Sequence, residues 1–523
     1  DGENCVYSEA FVDFSNPLTS SVTLSDIGDG AHIFAGSLFV GENYATLAAA
    51  EAAGIERGGD GPILTIRPGV TVALQNSEDF IAIMRGSRIE AQGTQDAPIT
   101  FTSEDDLRGL VTPEQVQTWG GMIINGFGFT NSCAYAAGFN IDDYSAADLE
   151  LEPAADCSIL QEGAEGAREN HYGGTVPNDN SGTLSYVVVK HAGFEVLEGN
   201  ELNGITFGAV GSGTTLENLQ VYANKDDGVE FFGGSADLTN YVGLYVQDDS
   251  IDLDQGYHGT ITNALVIQGD GSLDNPFASG QHCVESDGSG GSRKATNIAN
   301  GYTTKATITN LTCILSAKGP GFSGQGSPSA GINAEEGHRI QLENAIVTTA
   351  YASDATVDSD GLAIPVANID FTNYCFQLED SEDLEQAGNE LLSLTNSIFA
   401  CHDGSANKAL DSDITLTGTG AFAGDTGKEF LQKQGNVVVF AAEGLSDNGT
   451  TPPNGDGSLA GGLTILDGFY SLAIADMSAN ADTDLTDDLT GTFIGGVNAS
   501  DDWTADWTYG LHDGNRGQAL WFE

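Results

Sequence analysis

Leu216-Glu217-Asn218, Leu238-Thr239-Asn240, Ile261-Thr262-Asn263, Ile308-Thr309-Asn310, Leu342-Glu343-Asn344, Phe371-Thr372-Asn373 and Leu394-Thr395-Asn396 are one phrase written seven times. An aliphatic residue or Phe is followed by a variable residue, an Asn and a mostly apolar run. The closest Asn positions differ by 22 or 23, and the wider gaps read as one coil plus an insertion, or as two coils. Self-similarity at that period is the mark of a solenoid. In a parallel β-helix each coil lays a strand on the one below, so identical amides come within about 4.8 Å and hydrogen-bond along the axis. The phrase therefore predicts an all-β parallel β-helix with an asparagine ladder.

A second column repeats in step. Asn203-Gly204-Ile205-Thr206, Asp227-Gly228-Val229-Glu230, Asp249-Ser250-Ile251-Asp252, His282-Cys283-Val284-Glu285 and Ala330-Gly331-Ile332-Asn333 align with an apolar residue in every third place. Successive strand residues face opposite ways. If Ile205, Val229, Ile251, Val284 and Ile332 point inward, then Thr206, Glu230, Asp252, Glu285 and Asn333 form an external file with three adjacent acids. The alternative is that Asp-Gly and Asp-Ser only mark turns between coils.

Those acids are the chemically interesting part of the chain. Stacked outward about 5 Å apart, two unit charges repel by roughly 3 kcal/mol at an effective dielectric near 20. A bound cation, a raised pKa or splaying into water must relieve that. Asp226, Asp227, Asp248, Asp249, Asp254 and Asp287 lie close to Glu230, Asp252 and Glu285 in sequence, and such oxygen-rich surroundings suit Ca²⁺. These nine residues are the candidate metal ligands, with Ca²⁺ as the expected ion. Glu230 and Asp252 are also the candidates for a catalytic pair, since retaining glycosidases hold two carboxyl groups about 5 to 5.5 Å apart. His282 occupies a place where other coils carry Asp, so it is a ligand, a general base or a structural residue. The run Asp270-Gly271-Ser272-Leu273-Asp274-Asn275 resembles part of a calcium loop without the final Glu of an EF-hand.

Composition narrows the partners. Asp and Glu number 76 against 17 Lys and Arg, a formal net charge of −59, which repels nucleic acid, anionic membranes and polyanionic glycans unless metal ions bridge them. The acids are dispersed among Gly, Ser, Thr and Asn, as on a folded acidic surface. No apolar run approaches the roughly 18 residues of a membrane span, and a start at Asp1 reads as processed. Cys133 with Cys157, and Cys375 with Cys401, are close enough to staple loops; Cys283 and Cys313 can pair if the coils bring them together, leaving Cys5 odd. That usage points to an oxidising compartment.

Along the chain, residues 1–61 read as an N-terminal cap with a short Ala-rich helix near Ala45 to Ala53. Residues 62–410 read as the β-helix, beginning with short runs at Ile63 to Ile66, Val70 to Leu74, Phe80 to Met84, Arg88 to Ala91 and Pro98 to Thr102. A disulfide-bearing excursion near 126–180 interrupts it, and Gln377 to Leu392 suggests a helix. Residues 411–523 read as a β-rich C-terminal cap whose Trp503 and Trp507 belong to its core, because a solenoid's end must be closed.

Leu64-Thr65-Ile66-Arg67-Pro68-Gly69-Val70, Pro98-Ile99-Thr100-Phe101-Thr102-Ser103, Trp119-Gly120-Gly121, Asn203-Gly204-Ile205-Thr206-Phe207-Gly208 and Asp226-Asp227-Gly228-Val229-Glu230-Phe231-Phe232-Gly233-Gly234, with Asp502-Trp503-Thr504-Ala505-Asp506-Trp507-Thr508, resemble a large family of secreted right-handed β-helix proteins of Bacteroidetes and marine Proteobacteria. The resemblance implies a right-handed coil and a secreted or surface-attached protein. The family carries no agreed activity, so it transfers no catalytic residues. Together these readings give an extracellular scaffold or adhesin-like protein that self-associates as a homo-oligomer or filament and binds divalent cations. The alternative is a carbohydrate-active enzyme on an extracellular glycan; neither reading has a nucleic-acid partner or membrane insertion.

Overall fold

The structure, a computed structural model, describes residues 4–9, 11, 13–135, 151, 153, 155–163, 168–197, 200–269, 280–316, 330–350, 374–401, 415–440, 458–459, 463–464, 471–473, 492–498, 501–512 and 520. They form an all-β right-handed parallel β-helix. Among the described residues, one parallel sheet of 16 strands and another of 9 run along the rod.

In the larger sheet Leu216, Leu238, Ile261, Ile308, Leu342 and Leu394 pair in one column. All are buried in the continuous core. Two places further on, each ladder Asn sits with positive φ: 53° at Asn218, 61° at Asn240, 59° at Asn263 and Asn310, 61° at Asn344 and 50° at Asn396. Asn tolerates this left-handed conformation better than most residues, so the phrase specifies a corner as well as a hydrogen bond. The corner splits each long strand into two faces. In earlier coils those faces are separate strands: Arg88–Gln92 pairs with the first half of Gly182–Lys190 and Ile99–Ser103 with its second half. The ladder itself is closed by side-chain amides. Asn240 Nδ2 donates to Asn218 Oδ1 at 2.9 Å, Asn263 to Asn240 at 2.8 Å, Asn310 to Asn263 at 2.8 Å, Asn344 to Asn310 at 2.6 Å and Asn396 to Asn344 at 3.5 Å. Each wide gap between these rungs is thus one coil with an insertion. Asn373 lies outside the described residues, and the file passes directly from Asn344 to Asn396.

The first 61 residues contribute rungs as well as an end: Cys5–Tyr7 pairs with His32–Phe34, and Leu38–Val40 with Phe80–Ile83. The Ala-rich segment is a helix, Leu47–Ala52, capped by Thr46. The rod also runs past residue 410, because Val437–Phe440 pairs with Ile398–Cys401. Phe430 and Leu431, on the helix Gly427–Lys433, join the core near this end. The region expected as an end cap does something further. Ile494, Val497 and Leu511 lie along the flank of the larger sheet against Tyr222, Leu244, Ile267, Ile314 and Ile346. Gln220 and Tyr509 exchange hydrogen bonds of 2.7 Å in both directions. This strap explains why the outward positions of those strands are apolar: they are covered.

Cys133 pairs with Cys157 and Cys283 with Cys313. Cys313 stands in the inward column with Val266 and Val347, so the second bridge crosses the core between the two sheets. Cys375 is also disulfide-bonded, while the side chain of Cys401, its expected partner, is outside the description. Cys5 is free and exposed.

Candidate cation site

The smaller sheet carries the acids. Its register aligns Thr206, Glu230, Asp252, Glu285, Asn333 and Gln377 in one file, with Val229 and Ile251 stacked beside them in the core. The file faces away from the core, yet it is not open to solvent. Thr206, Glu230, Asp252 and Asn333 are buried and Glu285 is half-buried. The expectation of an external file needs that correction, and at Glu230 and Asp252 the excursion after Gly121–Asn125 contributes to the cover.

Instead of standing off the rod, the excursion folds back over the wall as a flap. Tyr172 stacks on Phe232 with ring centroids 5.9 Å apart and donates to Gln255 Oε1 at 2.6 Å. Thr130 Oγ1 reaches the same oxygen at 2.9 Å, and Asn131 Nδ2 binds the carbonyls of Gly288 and Tyr302, both at 2.9 Å. A Cβ on Gly208 would stand 2.7 Å from Gln161 Oε1 and 2.8 Å from Tyr172 Cβ, so glycine is what lets the flap lie flat there. The flap's base is held by buried Arg85, whose guanidinium donates to the carbonyls of Gly173 and Tyr44 at 2.7 and 2.5 Å and to Ser158 Oγ at 3.1 Å. Burial lowers its pKa to about 10.

Turn acids form a second stack at the start of the strands. Asn203 Oδ1 accepts from the Asp227 backbone N–H at 3.2 Å, Asp227 Oδ1 from Asp249 N–H at 3.0 Å, and Asp249 Oδ1 from His282 N–H at 2.8 Å. The turn-marking reading is therefore correct for Asp227 and Asp249, and it coexists with clustering. Ligand atoms within 4.8 Å of one another are offered by Asp226, Asp227 and Asp248; by Asp227, Glu230 and Asp252; by Asp249, His282 and Glu285; and by Glu285, Asp287 and Glu335. Eight of the nine residues singled out in the sequence fall in these groups. The ninth, Asp254, is half-buried beside them and its charge acts on Asp252 and Asp287.

Burial and mutual repulsion push these carboxyls up. Asp226, Asp227, Glu230, Asp249, Asp252 and Asp287 stand well above the ordinary range, burial being the larger cause and neighbouring carboxylates the next. Burial likewise carries Asp248 and Asp254 to about 7, and Glu162 of the flap to about 7 with help from Glu201. Glu285 runs the other way. Burial would raise it, but the charge and hydrogen bond of His282, with hydrogen bonds from Asp249 and Asn333, hold it at about 2. Lys225 and His282 are the basic groups that act most on the cluster.

Several neutral oxygens are also unsatisfied. Asn125 Oδ1, Gln161 Oε1, Ser286 Oγ and Asn333 Oδ1 are buried without a hydrogen-bond partner, as is Asp252 Oδ1. Carboxylate, amide and hydroxyl oxygens are the donors that hard cations take. Glu162, Gln161 and Asn125 were not singled out from the sequence. Gln161 and Glu162 sit in an aperiodic insertion, and the one signal for them is that the insertion is pinned by a cysteine pair. The calcium-loop fragment at Asp270 to Asn275 lies outside the described residues.

A parallel β-helix with a covered carboxylate wall is thus the class of protein that fold and site define. Residues 53–420 match the family described as the pectate-lyase-like β-helix domain, and the chain belongs to that family. No curated protein gives a significant match. Among solved structures, the crystal structure of a lacto-N-biosidase from Eubacterium ramulus is similar at 11% identity with a TM-score of 0.18, covering 78% of this chain; the chain spans 58% of that protein's length. A likeness that low bears on neither mechanism nor substrate.

Proposed function

We propose that the protein is an extracellular structural β-helix that holds divalent cations, Ca²⁺ foremost, on its covered acid wall and uses them to fix the flap to the rod. One observation carries this: carboxylates from successive coils are packed within 4.8 Å of one another beneath the flap, with few basic neighbours. At an effective dielectric near 20, each close pair of ionised groups costs about 3 kcal/mol. A dication held by Asp227, Glu230 and Asp252 relieves several such pairs at once and gives the orphan Asp252 Oδ1 a partner. The disulfides suit an oxidising compartment. Among the described residues, no helix is long and apolar enough to cross a membrane.

Calorimetric titration of the chelator-stripped protein with Ca²⁺ tests the reading. Saturable binding that disappears in the Glu230→Gln, Asp252→Asn double variant supports it, and heat of dilution alone refutes it. The scaffold role adds that rods associate side to side or end to end once cations screen the net charge of −59. Electron micrographs with and without chelator would show assemblies in one case and single rods in the other.

A second reading, a carbohydrate-active enzyme, draws on the family's kinship to pectate-lyase-like β-helices and on the contact of Glu230 with Asp252. The flap counts against it, since both carboxylates are buried. Turnover of a neutral glycan that vanishes in the same double variant would establish this reading instead.

A further inference from the structure

We propose that Asp249, His282 and Glu285 form a separate site for a borderline transition metal such as Zn²⁺, between the oxygen-only positions that take hard cations. The inference rests on the reading that the wall binds cations. It goes beyond that reading because the donor set differs: the other three groups on the wall consist of carboxylates alone, whereas this one offers an imidazole nitrogen. Imidazole suits Zn²⁺, Cu²⁺, Ni²⁺ and Co²⁺, whereas Ca²⁺ and Mg²⁺ select oxygen.

The geometry is that of ligands gathered on one point. His282 is fully buried, with Nδ1 2.8 Å from Asp249 Oδ1 and 3.2 Å from Glu285 Oε1. Donors about 2.0–2.1 Å from a common ion stand about 2.9–3.4 Å apart, close to these values. All three ligand atoms lie within 4.8 Å of one another. A second observation comes from the neighbouring coils. Asp252 and Asn333 flank Glu285 in the register, both are buried, and each leaves Oδ1 without a partner. Asn333 Nδ2 meanwhile donates to Glu285 Oε1 at 2.9 Å, and Asp249 Oδ1 accepts the His282 backbone N–H at 2.8 Å. Outer hydrogen bonds of this kind hold metal ligands in orientation.

The test uses the full chain stripped with chelator, with Co²⁺ and Zn²⁺ as probes beside Ca²⁺. The expected result is one equivalent of Co²⁺ with a visible d–d absorption band, removed by Zn²⁺ but not by an equal concentration of Ca²⁺. His282→Gln should abolish the band and weaken Zn²⁺ binding by more than about 100-fold, beyond the loss caused by removing a mere supporting partner. Calcium heats measured on the same variant should persist, which also reports that it is folded. Asp249→Asn, which keeps an oxygen for the His282 N–H, should weaken Zn²⁺ and leave the fold intact. If Ca²⁺ binds but the Co²⁺ band is missing or indifferent to His282→Gln, the imidazole is only a hydrogen-bond partner of the two carboxylates; this inference then fails while the proposed function stands. If no cation binds at all, both fail.

Discussion

The asparagine corner and the acid wall are built by the same operation and end in opposite states. Each repeats one side chain on successive coils, and each therefore brings like groups together along the axis. An amide carries a donor and an acceptor, so Asn218, Asn240, Asn263, Asn310 and Asn344 satisfy one another. A carboxylate carries only acceptors, so Glu230, Asp252 and Glu285 cannot. Stacking makes the first file self-sufficient and leaves the second in need of protons, of His282 or of cations from outside.

The largest effect should come from withdrawing those cations. At neutral pH, chelation should lower the melting temperature and admit protease to the flap, because each site saturated at 100 times its dissociation constant adds about 2.7 kcal/mol and chelation empties several sites at once. Identical melting and cleavage with and without chelator would erase the contrast between the two files. Next, exchanging chemistries should exchange behaviours. Glu230→Gln with Asp252→Asn should stabilise the chelated protein by about 3 kcal/mol, the repulsion of one close pair, at a pH high enough to ionise both carboxyls, and remove its response to Ca²⁺. Cys133→Ser, opening a bridge of sequence separation 24, should cost about 3 kcal/mol of chain constraint and weaken Ca²⁺ affinity if the flap supplies ligands; unchanged affinity would remove the flap from the site. Asn263→Asp should destabilise by about 1–3 kcal/mol, since the new carboxylate faces the Asn240 acceptor it formerly bonded. Thermal melts of the two exchanges, set side by side, should shift in opposite directions.

A pH series sharpens the comparison further. Asp248, Asp254 and Glu162 stand at about 7 in the folded, metal-free protein, above the ordinary carboxyl value near 4. Their protonated forms favour the fold, so this contribution is full below about pH 4, falls as pH rises, and is gone above about 7. Added Ca²⁺ should matter little at pH 4 and most above pH 7, while the amide ladder stays indifferent throughout. A calcium-induced shift in melting temperature that is flat across this window would contradict the assignment.

Much of the rod was legible in the sequence. Leu216-Glu217-Asn218 and its repeats state the period, the inward layer and the rung, and Val229-Glu230 with Ile251-Asp252 state the register of the second sheet. Phe371-Thr372-Asn373 lies outside the described residues, and the rungs before and after it in sequence, Asn344 and Asn396, bond to each other. What surrounds the rod was not legible. The segment near 126–180 and the stretch around Trp503 to Tyr509 have no repeat, so nothing local says whether they cap an end, stand in solvent or lie against a wall. Tyr222 and Leu244 pack under that stretch, yet nothing in the wording of their coils names the segment that covers them.

Sequence by itself determined the coil, because strand alternation and the stacking of like side chains are local rules applied at a fixed spacing. Tertiary structure decided the environment of the acids. The return of the flap, anchored by Arg85 and the bridge between Cys133 and Cys157, brings Glu162 close to Glu230 and Asp252 in that outward file. Burial in turn raises the energy of each unpaired charge from a small surface term to one that must be neutralised.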